Sequence, residues 1–416
     1  MKSFVYFIVF FSFVIILNSQ PRRDNKLHSN SKPIYVESHV VQSDTNNKCY
    51  VSFRVPYSNL VFIKDDLNFT SGIVFRVEVT GKDRVLTREF THDKVTVNNY
   101  ESTNRNDLFL EGILSFALSE SEVTVNPLVS LDNTQRQVPL RPFKVEKNSN
   151  SPIVVRNNSN CGNSLGYSLV NYENSIPFSE EDYQLFFPIY DNYLRSIEVE
   201  IKQNDEVVLK RNVPRKLFAQ FAINKCKETL VIEENTSNKP ASVFIIDDFS
   251  RYLNQGEFKI KISHNDSIYF ESEMLVDWVD KPVSLSDPKF AFQLLEIMES
   301  EDKLDKIFKE ADNEYDKAVE LFWNKYDPNS KTHFNQLKAE FYNRADYAIK
   351  QYNTKAKNIS DISDRGKIYI KYGEPAEVDR YYSDKNQITE VWKYMSPKVE
   401  FVFVDITGLG NYKIVN

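Results

Sequence analysis

One short motif in the sequence has the residue types and spacing of a catalytic nucleophile. Residues 162–166 read Gly-Asn-Ser-Leu-Gly, which matches the G-x-S-x-G pattern that places a serine on a sharp turn between a strand and a helix. The neighbouring sequence does not favour this geometry, because polar residues precede the motif and the strand-like residues 167–170 follow it. His264 and His333 lie downstream, but neither belongs to a recognisable triad. We therefore interpret the match at Ser164 as a coincidence.

A second candidate is the charged pair at the start of residues 364–375, which read DRGKIYIKYGEP. Asp364 and Arg365 could bind a polar ligand, or they could form an ion pair or a helix cap that includes Arg344. Charged pairs in proteins often belong to structural ion networks, so we favour the structural alternative.

The same stretch fits two local structures. Its alternating apolar residues suit a strand. A helix is also compatible, because Ser363 or Asp361 can cap its start, Gly373 can take the positive φ that often ends a helix, and Pro375 prevents its continuation. The cap signals favour a short helix over residues 364–372.

Metal and cofactor chemistry has little support in the sequence. The five histidines are scattered, the Cys-x-x-Cys and His-Glu-x-x-His patterns are missing, and only 10 glycines are available for phosphate-binding loops. We predict no cofactor and no metal. A pair of catalytic carboxylates stays open as an alternative, because their separation is a three-dimensional quantity. Tyr190, Tyr193 and Tyr252 are weak candidates for stacking against sugars, although packing is the commoner role of a tyrosine.

The first residues resemble an export signal. Lys2 precedes residues 4–17, a run of 14 residues that is apolar except for Ser12. This length lies within the roughly 7–15 residues of a signal-peptide core and below the ~20 that span a bilayer. We predict a signal peptide over residues 1–19 and a polar linker over 20–33, with an uncleaved membrane anchor as the alternative. The protein is then periplasmic, surface-exposed or secreted.

Charge and cysteine content restrict the partners and the compartment. The formal net charge is −7, which does not fit a nucleic-acid-binding surface. The cysteines are Cys49, Cys161 and Cys226, so at most one intramolecular disulfide can form in an oxidising compartment. Cys161 and Cys226 fall in one predicted domain and are the possible pair. Buried free thiols are the interpretation that we favour over this disulfide.

Hydrophobic periodicity predicts a multidomain chain with two antiparallel β-sandwiches followed by an α+β domain. Short strands alternate as in residues 197–202, where isoleucine and valine occupy every second position. We place immunoglobulin- or fibronectin-like sandwiches at residues 34–147 and 148–281, with an Asn- and Ser-rich boundary at 148–160. Residues 282–416 form the last domain.

In this last domain the apolar residues repeat every three or four positions, as in helices, instead of every second position. Residues 304–322 carry one apolar stripe and predict a helix, and a second amphipathic helix begins near residue 332. Two such helices joined by a short loop predict a helical hairpin. Strand-like runs at residues 378–382, 388–394 and 399–404 predict an antiparallel β-meander after it.

An ordered series of residues in this domain resembles the GWxTD-domain proteins, exported proteins of Bacteroidetes and related bacteria with no established activity. The series consists of Phe322, Trp323, Tyr326, Asp327, Pro328, Asn335, Arg344, Tyr347, Ala348, residues 363–366, 368–370 and 372–375, Glu390, Trp392, Tyr394, and residues 401–405 and 408–412. Where the name motif has Gly-Trp this chain has Ser360 and Asp361, and Ser363 replaces its threonine.

The resemblance implies that the motif residues are mostly structural, with a binding role as the alternative. These residues are Trp323, Asp327, Arg344, Asp364, Arg365, Gly373, Pro375 and Trp392. The helical spacing of apolar residues places Trp323 at the end of a buried stripe. Because side chains alternate between the two faces of a strand, Trp392 shares a face with Tyr394. We predict that both tryptophans are core residues and not ligand platforms.

Three functions stay open. We favour an exported, non-enzymatic interaction or scaffold protein of the bacterial cell envelope, whose partner is another envelope protein or polymer. A carbohydrate- or peptide-binding module is the first alternative, and a hydrolase with an unrecognised site is the second. We predict no catalytic residues, no nucleic-acid partner and no transmembrane span after signal cleavage.

Overall fold

The computed structural model describes residues 34–157, 161–352, 359–382 and 387–415. The predicted signal peptide and the linker over residues 20–33 lie outside the described residues. The described chain confirms the predicted fold class, because antiparallel β-sheets fill its N-terminal part and helices followed by a β-meander fill its C-terminal part. None of the described helices is long and apolar enough to span a membrane.

The first β region forms two sheets. Its strands are β1 (Tyr35–Val41), β2 (Lys48–Pro56), β3 (Ile63–Asp65), β4 (Asn68–Thr80), β5 (Val85–Val97), β6 (Phe109–Ala117), β7 (Glu122–Leu131), β8 (Gln137–Pro139) and β9 (Phe143–Glu146). Sheet I has the order β1-β2-β6, and sheet II contains the other six strands around β4 and β7. Phe53 of sheet I and Phe75 of sheet II meet in the core between them, with ring centroids 4.8 Å apart.

The second β region forms sheets III and IV. Its strands are β10 (Ile153–Arg156), β11 (Ser164–Leu169), β12 (Ile176–Pro177), β13 (Gln184–Ile189), β14 (Ser196–Gln203), β15 (Glu206–Pro214), β16 (Leu217–Ala219), β17 (Phe221–Cys226), β18 (Thr229–Glu234), β19 (Ala241–Ile246), β20 (Gly256–His264) and β21 (Ser267–Asp277). Sheet III has the order β16-β19-β13-β10-β11-β18-β17, and sheet IV has the order β12-β21-β20-β14-β15. The predicted boundary segment therefore contains β10, a central strand of sheet III.

The four sheets stack in the order II, I, III, IV. Sheet III packs one face on sheet IV, with Phe187 and Val199 in the shared core. Its other face packs on sheet I, where Val41 and Tyr50 contact Phe186 and its neighbours. Because sheet I is covered on both sides, nearly every residue of β2 is buried. The two sandwiches therefore share an apolar interface instead of meeting only through a linker.

A polar network crosses this interface. Arg54 of β2 donates from Nη1 to Glu111 Oε1 and to the carbonyl of Val170, both at 2.9 Å. Its guanidinium lies 3.8 Å from the ring centroid of Phe109 and 4.2 Å from that of Tyr172. These contacts give a largely buried arginine a counter-charge and two aromatic neighbours where the sandwiches meet.

The C-terminal region has five described α-helices and a four-stranded sheet. They are α1 (Pro288–Leu294), α2 (Glu301–Glu310), α3 (Tyr315–Asn324), α4 (Gln336–Tyr352), α5 (Asp364–Tyr372), β22 (Glu377–Tyr382), β23 (Ile388–Met395), β24 (Lys398–Asp405) and β25 (Lys413–Ile414). The sheet order β22-β23-β24-β25 is the predicted meander. Short 3₁₀ turns occur at Tyr57–Asn59, Glu101–Asn104, Ser250–Tyr252, Val283–Ser286, Leu295–Ile297 and Ile359–Asp361.

The prediction of one helix over residues 304–322 is wrong. The structure divides this stretch into α2 and α3, because Asp312 and Asn313 adopt left-handed backbone angles with φ of 53° and 62°. Aspartate and asparagine take this conformation more readily than other residues with a Cβ. The apolar stripe continues across the break, since Leu304 and Ile307 of α2 share one core with Phe322 of α3.

The short helix α5 begins and ends where its cap signals predict. The Ser363 hydroxyl accepts the Gly366 N–H at 3.1 Å, which caps the start of the helix. At the other end Gly373 has a φ of 82°, and its N–H donates to the Tyr369 carbonyl at 2.7 Å. A side chain at this position would also meet Arg344, whose Cζ lies 3.1 Å from the place of a Cβ. The backbone angle therefore favours Gly373, and a Cβ there would also require Arg344 to shift slightly.

Candidate functional site

Trp323 occupies the core at the end of α3. Its side chain is 2% exposed and packs on the rings of Phe322, Phe341 and Tyr342. The indole N–H donates to the Tyr342 hydroxyl at 3.4 Å, and that hydroxyl donates to the Ala291 carbonyl at 2.9 Å. The indole thus has the buried position that the sequence predicts, with its polar atom satisfied.

Asn335 connects the end of α3 to the start of α4. Its amide donates to the Trp323 carbonyl at 2.9 Å, and its side-chain oxygen accepts the Lys338 N–H at 3.0 Å. The ammonium of Lys338 then pairs with Glu320 of α3. Asp327 accepts the Asn329 N–H at 2.9 Å and turns the chain between the two helices. This part of the family series therefore fixes the angle between α3 and α4.

A cleft opens where these helices meet the second sandwich, and we call it the junction cleft. Its volume is about 250 Å³, and its walls include Asn254, Gln255 and Trp278 from the sandwich side and Asp327 and His333 from the helical side. Trp278 packs edge-on against Phe178 and Phe334, with centroid distances of 5.6 Å to both rings. The cleft thus combines aromatic walls with amide, carboxylate and imidazole groups.

Arg365 belongs to an ion cluster between α5 and the meander. Its Nη1 donates to Glu390 Oε2 at 3.0 Å, and Arg380 Nε donates to Glu390 Oε1 at 3.0 Å. The guanidinium of Arg365 also lies over the Tyr412 ring, 3.7 Å from its centroid. The sequence suggests that Arg344 joins Asp364 and Arg365. In the structure Arg344 instead pairs with Glu340, one turn earlier on α4.

The carboxylates around this cluster hold backbone amides. Asp364 accepts the Ile414 N–H at 3.0 Å, so it anchors β25 instead of pairing with Arg365. Asp405 accepts the N–H groups of Gly408 and Gly410 at 3.0 and 2.6 Å and closes the loop after β24. Burial would raise the pKa of Asp405, but these hydrogen bonds outweigh it and lower the pKa.

The pKa of Glu390 is lowered in the folded protein. Burial would raise it, but the hydrogen bonds and charges of Arg380 and Arg365 outweigh burial. A carboxylate with a lowered pKa stabilises the fold above its unfolded-state pKa of about 4.3, and this stabilisation is lost as the pH falls through the folded-state pKa.

We expect Glu390→Gln to lower the free energy of unfolding at neutral pH by about 1.5–3 kcal/mol, the range for hydrogen bonds to charged groups. The difference from the native protein should shrink as the pH falls below about 4, where the native Glu390 becomes protonated too. Urea unfolding at a series of pH values measures both effects. Glu377→Gln is the control, because Glu377 pairs with Lys393 at an exposed position and should change little. A constant difference down to pH ~3 would contradict the assignment.

A groove between α2 and α3 is the second concave surface of this region, and we call it the helix groove. Its volume is about 590 Å³, with Ile307, Phe322 and Tyr326 among its lining residues. Four lysines and two glutamates line it as well: Lys303, Lys306, Lys309, Lys325, Glu299 and Glu310. Lys303 pairs with Glu299 at 3.0 Å. Within the described residues Lys306, Lys309 and Lys325 form no ion pair, so the groove is positively charged.

Ser164 lies in β11 and not at a strand-to-helix turn. Its hydroxyl contacts the Ile232 carbonyl at 3.3 Å and accepts the Gly166 N–H at 3.1 Å. The three tyrosines offered as sugar platforms are dispersed. The Tyr190 hydroxyl accepts the Gln42 N–H at 3.0 Å, and Tyr193 and Tyr252 are exposed at separate places. These residues do not form a common site.

A disulfide joins Cys161 and Cys226, the pair that the sequence offers as one alternative. It connects the turn just before β11 to the end of β17. The neighbouring Lys225 reaches across to the first sandwich, where its ammonium pairs with Asp93 at 2.6 Å. Cys49 is a buried free thiol in sheet I, and burial raises its pKa to about 12.

The family-series residues do not converge on one catalytic centre. Trp323 and Asp327 lie at the junction, whereas Arg365 of α5 and Trp392 of β23 lie where α5 meets the meander. Pro375 follows Gly373 in the turn between α5 and β22. Among the described residues there is also no group of three or more His, Cys, Asp or Glu side chains that could hold a metal ion. Sequence reasoning missed the lysine groove, although the spacing of Lys303, Lys306 and Lys309 along one helix could have indicated it.

Comparisons with known proteins identify one domain. Residues 283–414 match the family described as the GWxTD domain. A search of curated proteins finds no match. A solved structure of the C-terminal domain of the Streptococcus pyogenes antigen I/II-family protein AspA is 8% identical and covers 59% of this chain and 100% of that chain, with a TM-score of 0.18. A likeness this weak carries no argument about fold or function.

Proposed function

We propose that this chain, whose residues 283–414 match the GWxTD-domain family, is an exported, non-enzymatic interaction protein of the bacterial cell envelope. In this proposal the GWxTD domain holds an acidic segment of a protein partner in the helix groove, and the stacked sheets act as the scaffold that presents the domain. The single observation that carries the proposal is the charge of the groove.

The helix groove has the composition of a peptide-docking surface. Its apolar wall includes Tyr326, which is 42% exposed although its neighbour Phe322 is buried. Lysines line the groove in excess over glutamates, in a chain whose formal net charge is −7. Local positive charge on an acidic protein favours a partner with carboxylates next to an apolar or aromatic anchor.

The β region supports a scaffold role through its contacts. The apolar interface between sheets I and III and the ion pair between Lys225 and Asp93 hold the two sandwiches together. The disulfide between Cys161 and Cys226 supports export, because disulfides persist in oxidising compartments. Residues 4–17 have the pattern of a signal peptide and support the same localisation.

The experiment is photo-crosslinking in the native cell, with p-benzoylphenylalanine in place of Tyr326. We expect one discrete cross-linked species in the envelope fraction, and mass spectrometry should find an acidic segment at the cross-link. Combined Lys306→Glu, Lys309→Glu and Lys325→Glu should abolish this species, because reversing three charges repels an acidic partner. The abundance of the protein should not change, since all three lysines are exposed.

The matched control reverses three lysines outside the groove, with Lys64→Glu, Lys82→Glu and Lys261→Glu. These side chains are also exposed, and the change in net charge is the same. The control should retain the cross-linked species. Equal cross-linking in the groove variant, or recovery of the protein only from the cytoplasm, would contradict the proposal.

A further inference from the structure

The junction cleft is built from two domains and has a composition different from that of the helix groove. The sandwich contributes Asn254, Gln255 and Trp278, and the GWxTD domain contributes Asp327 and His333. Two hydrogen bonds cross the junction beside it. His333 N–H donates to the Arg251 carbonyl, and Gln336 Nε2 donates to Glu180 Oε1, both at 3.3 Å. The walls of the cleft are therefore held together independently of any ligand.

Its charges do not select a strongly charged ligand. Lys338 is the one lysine among the residues that line the cleft, and its ammonium is already paired with Glu320. Asp327 would repel a phosphate or carboxylate group, while Lys338 would oppose a metal cation. Besides the two indoles, the remaining polar side chains are the imidazole of His333 and four neutral amides, those of Asn254, Gln255, Asn324 and Asn335. This set suits a neutral ligand with many hydroxyl groups.

Amides and carboxylates can bind adjacent hydroxyls in a complementary way. An amide offers both donors and an acceptor, and a carboxylate accepts from two hydroxyl groups at once. Trp278 is only half-buried, so part of its indole faces the cleft beside these groups. An indole provides a flat apolar surface with a polar edge, which suits the C–H face of a sugar ring.

The size of the cleft agrees with one ring. Its volume of about 250 Å³ is far above the roughly 10–15 Å³ that a single water molecule needs on the same measure. This space suits one hexose ring and its hydroxyls. Asn254 and Gln255 are exposed at the rim, so the rest of a glycan could continue into solvent.

From these contacts we infer that the junction cleft is a binding site for one hexose-type sugar ring, stacked on Trp278 and held by Asn254, Gln255 and Asp327. The site bridges the second sandwich and the GWxTD domain, as many ligand sites lie between domains. The inference rests on the cleft alone and does not depend on a protein partner in the helix groove.

The test is saturation-transfer NMR and titration of the mature chain with D-glucose, D-galactose, D-mannose and N-acetyl-D-glucosamine. Sorbitol, an acyclic polyol, is the control ligand. We expect at least one sugar to bind with a Kd of about 1 mM, which corresponds to a free energy of only ~4 kcal/mol. Asn254→Ala combined with Gln255→Ala should weaken binding about fivefold or more, because hydrogen bonds to the sugar are lost.

The matched control variant is Asn343→Ala combined with Gln351→Ala. It also removes one Asn and one Gln amide, both at exposed positions of α4 outside the cleft lining. Its sugar affinity should stay within about twofold of the native value. The inference is overturned by any of three results: no sugar binds at about 50 mM, far above the expected Kd; sorbitol binds as well as the sugars; or both double variants bind like the native chain.

Discussion

Replacing Arg54 by alanine is expected to lower the free energy of unfolding by about 3–5 kcal/mol, the usual loss when one partner of a buried ion pair is removed. Arg54 is 12% exposed and Glu111 is 6% exposed, so the variant leaves a buried carboxylate without its counter-charge. Burial raises the pKa of Glu111, and the charge of Arg54 opposes that rise. The loss should therefore be smaller at acid pH, where an unpaired Glu111 is protonated.

Circular dichroism during denaturant unfolding measures this loss in the β region. Tryptophan fluorescence is less suitable, because Trp323 and Trp392 lie in the C-terminal region and Trp278 lies at the edge of the second sandwich. Arg88→Ala is the matched control, since the Arg88 side chain is 70% exposed in its pair with Glu78. Arg54→Met combined with Glu111→Leu should recover most of the stability, because an apolar pair needs no counter-charge. An unchanged midpoint in Arg54→Ala would mean that the sandwiches do not meet as described.

Replacing Trp392 by alanine is expected to cost about 3–5 kcal/mol, the usual loss for a buried large aromatic residue. Trp392 is 2% exposed, and its ring centroid lies 5.0 Å from that of Phe403 and 5.5 Å from that of Tyr352. Removal of the indole would leave a cavity between the meander and α5, since both elements contribute to this core.

Thermal unfolding and urea unfolding of the full chain measure the effect. Tyr382→Ala is the control, because Tyr382 lies on the neighbouring strand β22 and is 71% exposed. It should change the free energy of unfolding by less than about 0.5 kcal/mol. If Trp392→Ala cost less than about 1 kcal/mol, the ring would not be a core residue and a binding role would reopen.

Local signals predicted those elements whose determinants are close in sequence. The bounds of α5 followed from Ser363 and Gly373, which act on backbone groups within three or four residues. The break between α2 and α3 was missed because an apolar stripe continues through it. The left-handed angles of Asp312 and Asn313 give a weaker signal than hydrophobic period.

Contacts between distant residues could not be predicted in the same way. Alternation shows that one face of a strand is buried, but it does not show what covers the other face, so the stacking of sheet I on sheet III was not foreseen. The near-continuous burial of β2 is the structural consequence of this stacking. The pairing of Arg365 with Glu390 was missed for the same reason, whereas the resemblance to the GWxTD family did name both residues.

The central claim is that the GWxTD motif residues build the fold while partner binding takes place in the helix groove. One measurement on Arg365→Ala tests it most directly: the free energy of unfolding together with the cross-link yield from position 326, measured below the unfolding transition. We expect a loss of at least about 1.5 kcal/mol, because Glu390 loses a charged hydrogen bond, and an unchanged cross-link yield. Stability within about 0.5 kcal/mol of the native value together with a lost cross-link would contradict the claim and make Arg365 a binding residue.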